Sequence, residues 1–376
     1  MTNETAAPAG TASASTDRRL FEPVRLGALE LPNRMVMAPM TRNRATFAGV
    51  PLPLMAEYYG QRATAGLIVG EASTPSPAGF TYPEIAGLYD DAQVEGWRAV
   101  ADAVHAEGGL LVLQIEHGGR IGHPDNNPGG LLPLAPSAVR LPGGIHTPTG
   151  HQEAPVPVEM TEADVKAAVG EFAAAARNAL RADADGVEVH AANGYLLNQF
   201  LSSSTNRRTD RYGDSVENKI RFVVEVVEAV VAEVGAERTG LRISPWNTGN
   251  GIDVSDSEAV FPALLDALSP LGLAYLHVGR ALPGEALFGE LRRRWAGPLV
   301  ANPELGDPLP IPADGGLSKG VELLEAGADA IAFGRAFLAN PDLVARYETG
   351  AALTPVREDR SMYGRGPEAY TDYPFL

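Results

Sequence analysis

The chain has 376 residues and 45% hydrophobic content, enough to bury the core of one barrel-sized domain or two ordinary ones. Its formal net charge of −17 argues against nucleic acid and anionic membrane surfaces as partners. No cysteine is present, which removes disulfides, iron–sulfur clusters and thiolate metal sites and fits a reducing, cytoplasmic setting; no metal site of another kind is expected.

Residues 1–19 are rich in Ala, Thr and Ser and lack the continuous apolar stretch of a signal peptide. They read as a disordered leader ahead of a single domain over residues 20–376. No run of about 18 apolar residues occurs, so no membrane span is expected. Short apolar runs read as strands at Met35–Pro39, Gly66–Glu71, Leu110–Ile115, Gly186–His190, Gly240–Ser244, Ala274–Val278, Pro298–Ala301 and Asp329–Phe333. Amphipathic helices fall between them at Ala92–Ala106, Glu162–Ala182, Val216–Val234, Asp256–Ala267 and Ser318–Ala326. Thr161 stands at an N-cap position with Asp164 three residues on, and Gly235 follows the Val216 helix as a stop. Eight strands with interposed helices predict an α/β fold, the (β/α)8 TIM barrel, and no G-x-G-x-x-G follows the first strand to favour a doubly wound sheet. The Pro- and Gly-rich stretch from His123 to Met160 leaves the third strand as a long lid loop or hairpin, expected to overhang the barrel mouth.

The fourth strand ends in His190, with Asn193 and Tyr195 close behind. Barrel enzymes carry their chemistry at the carboxyl ends of strands. Donors that grip a carbonyl oxygen beside a phenolic proton source suit the polarisation of an α,β-unsaturated carbonyl. The same residues could simply satisfy buried backbone at a strand end, and local sequence alone leaves both readings open.

Six separated segments carry a wider likeness: Leu31–Ala45, Glu57–Ala72, the His190–Asn193–Tyr195 block running on to Asn218, Leu241–Pro245, Ile331–Leu343 and the terminal YTDYPFL. In these the chain resembles the Old Yellow Enzyme family of flavin-dependent ene-reductases, over nearly everything from Leu20 onward. The resemblance implies noncovalent FMN at the barrel mouth, NADPH or NADH as reductant, and an enone or other activated alkene as second substrate. His190 and Asn193 would then hold the substrate carbonyl and Tyr195 would deliver a proton. Thr41, in PMTR, would donate to the flavin; the family's other branch has cysteine there, so this chain sides with the threonine branch. Gln114 would pair with the flavin pyrimidine edge and Arg242 with its electron-rich side, while Pro39, Met40 and Ala72 would line the ring. For the phosphate, Gly315 and Gly316 precede a helix, and Gly334 and Arg335 end the eighth strand. Tyr370 would line the substrate pocket, or pack as part of a docked tail.

Two departures stand out. Many relatives place tryptophan two residues after the flavin glutamine, where this chain has Glu116, on the face shared with Gln114. That exchange is expected to enlarge the pocket, raise its polarity and disfavour anionic substrates. Relatives also pass from the seventh strand almost directly into the glycine pair, whereas NPELGDPLPIPAD intervenes here. Reduction of nitro compounds, nitrate esters, quinones or oxygen stays open as an alternative activity, as does a non-catalytic FMN- or ligand-binding barrel. A monomer and a homodimer are equally compatible with the sequence.

Overall fold

The computed structural model describes residues 17–306, 311–357 and 360–376. Eight parallel strands form the barrel: β1 (Met35–Met37), β2 (Leu67–Thr74), β3 (Leu111–Ile115), β4 (Gly186–Ala191), β5 (Thr239–Ile243), β6 (Tyr275–Ala281), β7 (Leu299–Pro303) and β8 (Ala330–Phe333). Each pairs with its neighbour in sequence, and β1 closes the ring by pairing with both β8 and β2. The outer helices are α1 (Pro53–Gly60), α2 (Asp91–Ala106), α3 (Glu162–Arg181), α4 (Val216–Val234), α5 (Ser257–Leu268), α6 (Ala286–Arg294), α7 (Leu317–Glu325) and α8 (Leu343–Thr349). All eight expected strands and all five expected helices are present. Helices α1, α6 and α8 escaped the sequence, as did the short helical segments Leu196–Leu201 and Arg335–Ala339; all span five to nine residues and offer few repeats of a 3.6-residue period, although α7, equally short, shows one. Thr161 and Asp164 form the expected capping box at α3, and the Gly235 N–H closes α4 on Val231.

Asp17 caps a short 3-10 turn over Arg18–Phe21, whose first residues fall inside the stretch assigned to the leader. Residues 1–16 of that leader lie outside the described residues. Among the described residues no helix is long and apolar enough to cross a membrane.

Strand alternation sorts the side chains. Val187, Val189, Leu241, Ile243, Leu276 and Val278 point outward and pack with the helices in the main core. The inward positions near the amino-terminal end are apolar, with Val36, Val69, Val112, Val300 and Ala332 sealed below by Leu26, Leu29 and Leu31 of an antiparallel hairpin. Nearer the mouth the inward positions turn polar: Gln114, Glu188, His190, Arg242 and His277, all buried. Gly240 makes room among them, since a Cβ there would sit 2.4 Å from the Tyr275 ring.

The excursion between β3 and α3 contains an antiparallel hairpin, Gly144–Thr147 with Gly150–Glu153. A short parallel pairing of Leu134–Ala135 with Val158–Glu159 ties its base. Its His146 reaches the cavity described below, so the excursion does overhang the mouth. The carboxyl-terminal tail is fastened by three buried arginines. Arg42, Arg44 and Arg62 donate to main-chain carbonyls of Met362, Ser361, Glu368, Ala369 and Tyr370.

Candidate active site

A cavity of about 680 Å³ opens at the carboxyl ends of the strands, within the range of sites that hold drug-sized ligands, about 300–1,000 Å³. Met40, Thr41, Tyr195 and Arg335 line it, along with Tyr82, Pro83 and Glu84 after β2, His146 from the excursion, and Met362 and Tyr363 from the tail. His190, Gln114, Glu116 and Arg242 lie buried in the adjoining barrel interior, with Pro39 and Ala72 also buried at strand ends.

His190 is held from one side by Gln114, whose Nε2 lies 3.2 Å from Nδ1. Burial, reinforced by the Arg242 charge, pushes the imidazole well below its usual range, so the ring is neutral. A neutral ring that accepts at Nδ1 carries its proton on Nε2. Gln114 is itself fixed by donating to Glu188 at 2.7 Å. Burial acts to raise the Glu188 carboxyl, but His277, Arg242 and Gln114 together bring it down to about 2. His277 Nδ1 lies 2.9 Å from that carboxylate; burial draws its ring below the usual imidazole range, with Glu188 acting in the other direction.

After β4 the chain turns through Asn193 and Gly194, both at positive φ (58° and 82°). Asparagine tolerates that conformation, and at Gly194 a Cβ would come within 2.8 Å of Asn250. The Asn193 N–H donates to Ser244 Oγ at 2.8 Å and its carbonyl accepts from Asn250 at 2.8 Å. Its side-chain Oδ1 accepts from Asn247 Nδ2 at 2.7 Å, which leaves the Nδ2 donor free of any partner among the described residues. The turn returns Tyr195 so that its ring lies 5.3 Å from that of His190. Burial and the neighbouring Glu116 push the Tyr195 phenol well above its usual range, which keeps its proton in place.

Glu116 shares a face with Gln114, as alternation requires, and both meet His190: Glu116 Oε2 lies 3.3 Å from Nε2. Like His190, it lies buried in the barrel interior that adjoins the open cavity. Tyr370 takes the second of its two expected places. It is fully buried and stacks on Tyr58 with ring centroids 4.0 Å apart, with Arg44 over its ring, and it is not among the cavity-lining residues. Its cation-rich surroundings make it the anchor of the docked tail.

On the cofactor side, the buried Arg242 has Nη2 donating to Asn302 at 3.2 Å, while its Nε has no partner among the described residues. A buried guanidinium with a spare donor suits the electron-rich edge of a flavin, and Thr41 presents a hydroxyl to the same cavity. FMN therefore fits the donors present. Arg335 brings a cation to the cavity lining, and Gly334 before it lies beside Met40. The Gly315–Gly316 expectation is not supported by the geometry. The Gly315 N–H donates to Pro312 and the Gly316 N–H to Asp314, whose carboxylate also takes Ser318 N and Oγ. A side-chain anion thus occupies the amino-terminal end of α7, where a phosphate would have to bind. β7 ends at Pro303 and α7 begins at Leu317, and residues 307–310 of the stretch between them lie outside the described residues.

Sequence reading missed Glu188, His277, Asn302 and Asn247. Glu188 and His277 were within reach, because each is a polar residue at an inward position of an otherwise apolar strand. Asn247 sits in an irregular loop and carries no such signal.

Residues 19–354 match the family described as NADH:flavin oxidoreductase / NADH oxidase. The chain is 40% identical over 374 residues to a probable flavin mononucleotide-dependent alkene reductase of Leishmania infantum, covering 97% of this chain and 99% of that protein. It is 41% identical over 380 residues to 12-oxophytodienoate reductase 1 of Oryza sativa subsp. japonica, covering 98% and 96% respectively. Among solved structures, the old yellow enzyme homologue from Zymomonas mobilis superposes with a TM-score of 0.88 at 40% identity, over 95% of this chain and 99% of that one. Morphinone reductase in complex with tetrahydroNAD gives 0.86 at 42% identity, over 95% and 97%. With nearly the whole chain matched and its barrel superposing on theirs, the protein is an enzyme of the NADH:flavin oxidoreductase family, the Old Yellow Enzymes.

Proposed function

We propose that this enzyme, with FMN as cofactor and NADPH or NADH as reductant, reduces the activated C=C bond of α,β-unsaturated carbonyl compounds. The observation that carries the reading is the state of His190: a neutral ring at the barrel mouth, its Nδ1 engaged by Gln114 and its proton on Nε2. Bound FMN supplies the two-electron carrier between nicotinamide and alkene. The chain supplies the rest. His190 Nε2–H and Asn193 Nδ2–H grip the substrate oxygen, and such preformed donors stabilise the negative charge that develops there. Tyr195, held protonated at neutral pH, gives its proton to the α carbon. Arg242, Gln114 and Thr41 hold the flavin ring against Pro39, Met40 and Ala72, and Arg335 with Gly334 takes the phosphate. Gly315 and Gly316 have no part in this assignment, because their amides are already committed.

The names of the relatives support this class of substrate, since they include an alkene reductase and a 12-oxophytodienoate reductase. The test is direct. Purified protein loaded with FMN should bleach anaerobically with NADPH or NADH and regain its colour with 2-cyclohexenone. Bleaching followed by recovery only with nitro compounds, quinones or oxygen would refute the alkene assignment. Protein that takes up FMN but never bleaches would point to a binding barrel.

A further inference from the structure

The proposed chemistry leaves Glu116 without a role, yet its carboxyl lies 3.3 Å from the His190 nitrogen that would meet the substrate oxygen. Gln114 fixes the ring so that its single proton is on that nitrogen. One N–H cannot serve two acceptors at full strength. A carboxylate would take it in preference to a ketone, because hydrogen bonds to ionised acceptors are roughly twice as strong as neutral ones. It would also set a negative charge beside the oxygen that gains charge during reduction. A carboxylic acid behaves in the opposite way. Being neutral, it competes for the His190 N–H no more strongly than the ketone does, and it can donate its own O–H to the substrate.

The groups facing Glu116 set which form it takes. His190 approaches from β4, Tyr195 from the turn that follows, Arg242 from β5, and Tyr82 from the loop after β2, with Gln114 of β3 and His117 near it in sequence. His190 is uncharged and both phenols are protonated, so only Arg242 favours the carboxylate. Burial outweighs it and pushes Glu116 up to about 8, so the acid form prevails at neutral pH.

We propose that Glu116 contacts the substrate: as a neutral acid it completes the oxygen site with His190 and Asn193, and as a carboxylate it closes that site by claiming the His190 N–H. The inference rests on the ene-reductase reading and adds to it a third donor and an upper pH limit. It concerns a residue that replaces an aromatic of many relatives.

The experiment uses the full chain loaded with FMN, reduced anaerobically and mixed with 2-cyclohexenone, which stays uncharged throughout, from about pH 6.5 to 9.5. The apparent Kd for the enone is read from reoxidation rates. In wild type it should rise about tenfold per pH unit above the Glu116 midpoint. Glu116→Gln keeps the shape and a donor but cannot ionise, so its Kd should stay flat. Glu116→Leu should also be flat, but with weaker binding than the Gln variant for want of the donor. Superimposable wild-type and Glu116→Gln profiles would overturn the proposal, as would a Leu variant that binds as tightly as Gln. Failure of the parent reading looks different: no variant would be reoxidised by the enone at any pH.

Discussion

Asn247 decides which way the Asn193 carboxamide faces, and replacing it tests the oxygen site without touching a residue that meets substrate. Its Nδ2 donates to Asn193 Oδ1 at 2.7 Å, and its own Oδ1 is held by the Gly249 N–H at 2.8 Å. With Oδ1 of Asn193 engaged, Nδ2 is the group left to face the substrate. Asn247→Ala removes one neutral hydrogen bond, worth about 0.5–1.5 kcal/mol net, so the productive orientation should lose about 2- to 13-fold in relative population. Asn247→Asp goes further, because a carboxylate cannot donate to Oδ1 and instead attracts Nδ2, turning the amide over. Its cost should approach that of losing an oxyanion donor outright, on the order of 10²–10³ in rate. Stopped-flow reoxidation of the reduced enzyme by 2-cyclohexenone measures both, with FMN affinity and thermal stability as controls. The order wild type, Ala, Asp is the expected result. An Asp variant within about twofold of wild type, far below that donor cost, would show that the Asn193 amide orientation does not govern substrate binding.

Tyr195→Phe should leave flavin reduction by nicotinamide near wild type while slowing enone reoxidation by on the order of 10² or more, as loss of a general acid does; equal losses in both half-reactions would contradict the assigned proton. Glu188→Gln removes a buried negative charge near Gln114 and Arg242, so spectroelectrochemical titration should find the flavin potential more positive by on the order of tens of millivolts. The same variant carries an acid-stability signature. Glu188 titrates near 2 in the fold against an ordinary 4.5, so its ionised form stabilises the native state above 4.5 and that stability drains away as pH falls from 4.5 toward 2. Thermal melts of Glu188→Gln should therefore depend less on pH across that window. The Tyr370 hydroxyl has no partner among the described residues, so Tyr370→Phe should melt like wild type, while Tyr370→Ala should lose about 3–5 kcal/mol, as for other buried aromatics.

The barrel was legible because its strands are short apolar runs with clear breaks, and the β4 block because its polar residues crowd one strand end. What the sequence could not convey is which polar atoms spend their donors on the protein itself. Gly315 and Gly316 look like a phosphate turn in one dimension, but Asp314, immediately before them, folds back over the helix start and takes the amides of Gly316 and Ser318, while the Gly315 amide goes to the Pro312 carbonyl. Tyr370 sits in a segment shared with relatives, yet the arginines that enclose it come from residues 42, 44 and 62. Glu116 was recognisable as a departure, but its partner depends on a ring in the neighbouring strand. In each case the deciding neighbour is a local turn hydrogen bond or lies far away in sequence, and neither leaves a periodic trace.

The polar layer beneath the mouth also explains how one barrel keeps two buried carboxyls in opposite states. Glu188 has the Gln114 amide, the His277 N–H and the Arg242 charge around it, so it remains ionised despite complete burial. Glu116, in the layer above, has only Arg242 in opposition to its burial and remains protonated near neutrality. The two are joined through Gln114 and His190: Glu188 orients the amide, the amide selects the imidazole tautomer, and the tautomer aims a proton at the position where Glu116 and the substrate meet. A fixed charge is useful at the bottom of that ladder because it must hold one geometry through every turnover. A neutral acid is useful at the top because charge appears there only during reaction, and a permanent anion would oppose it.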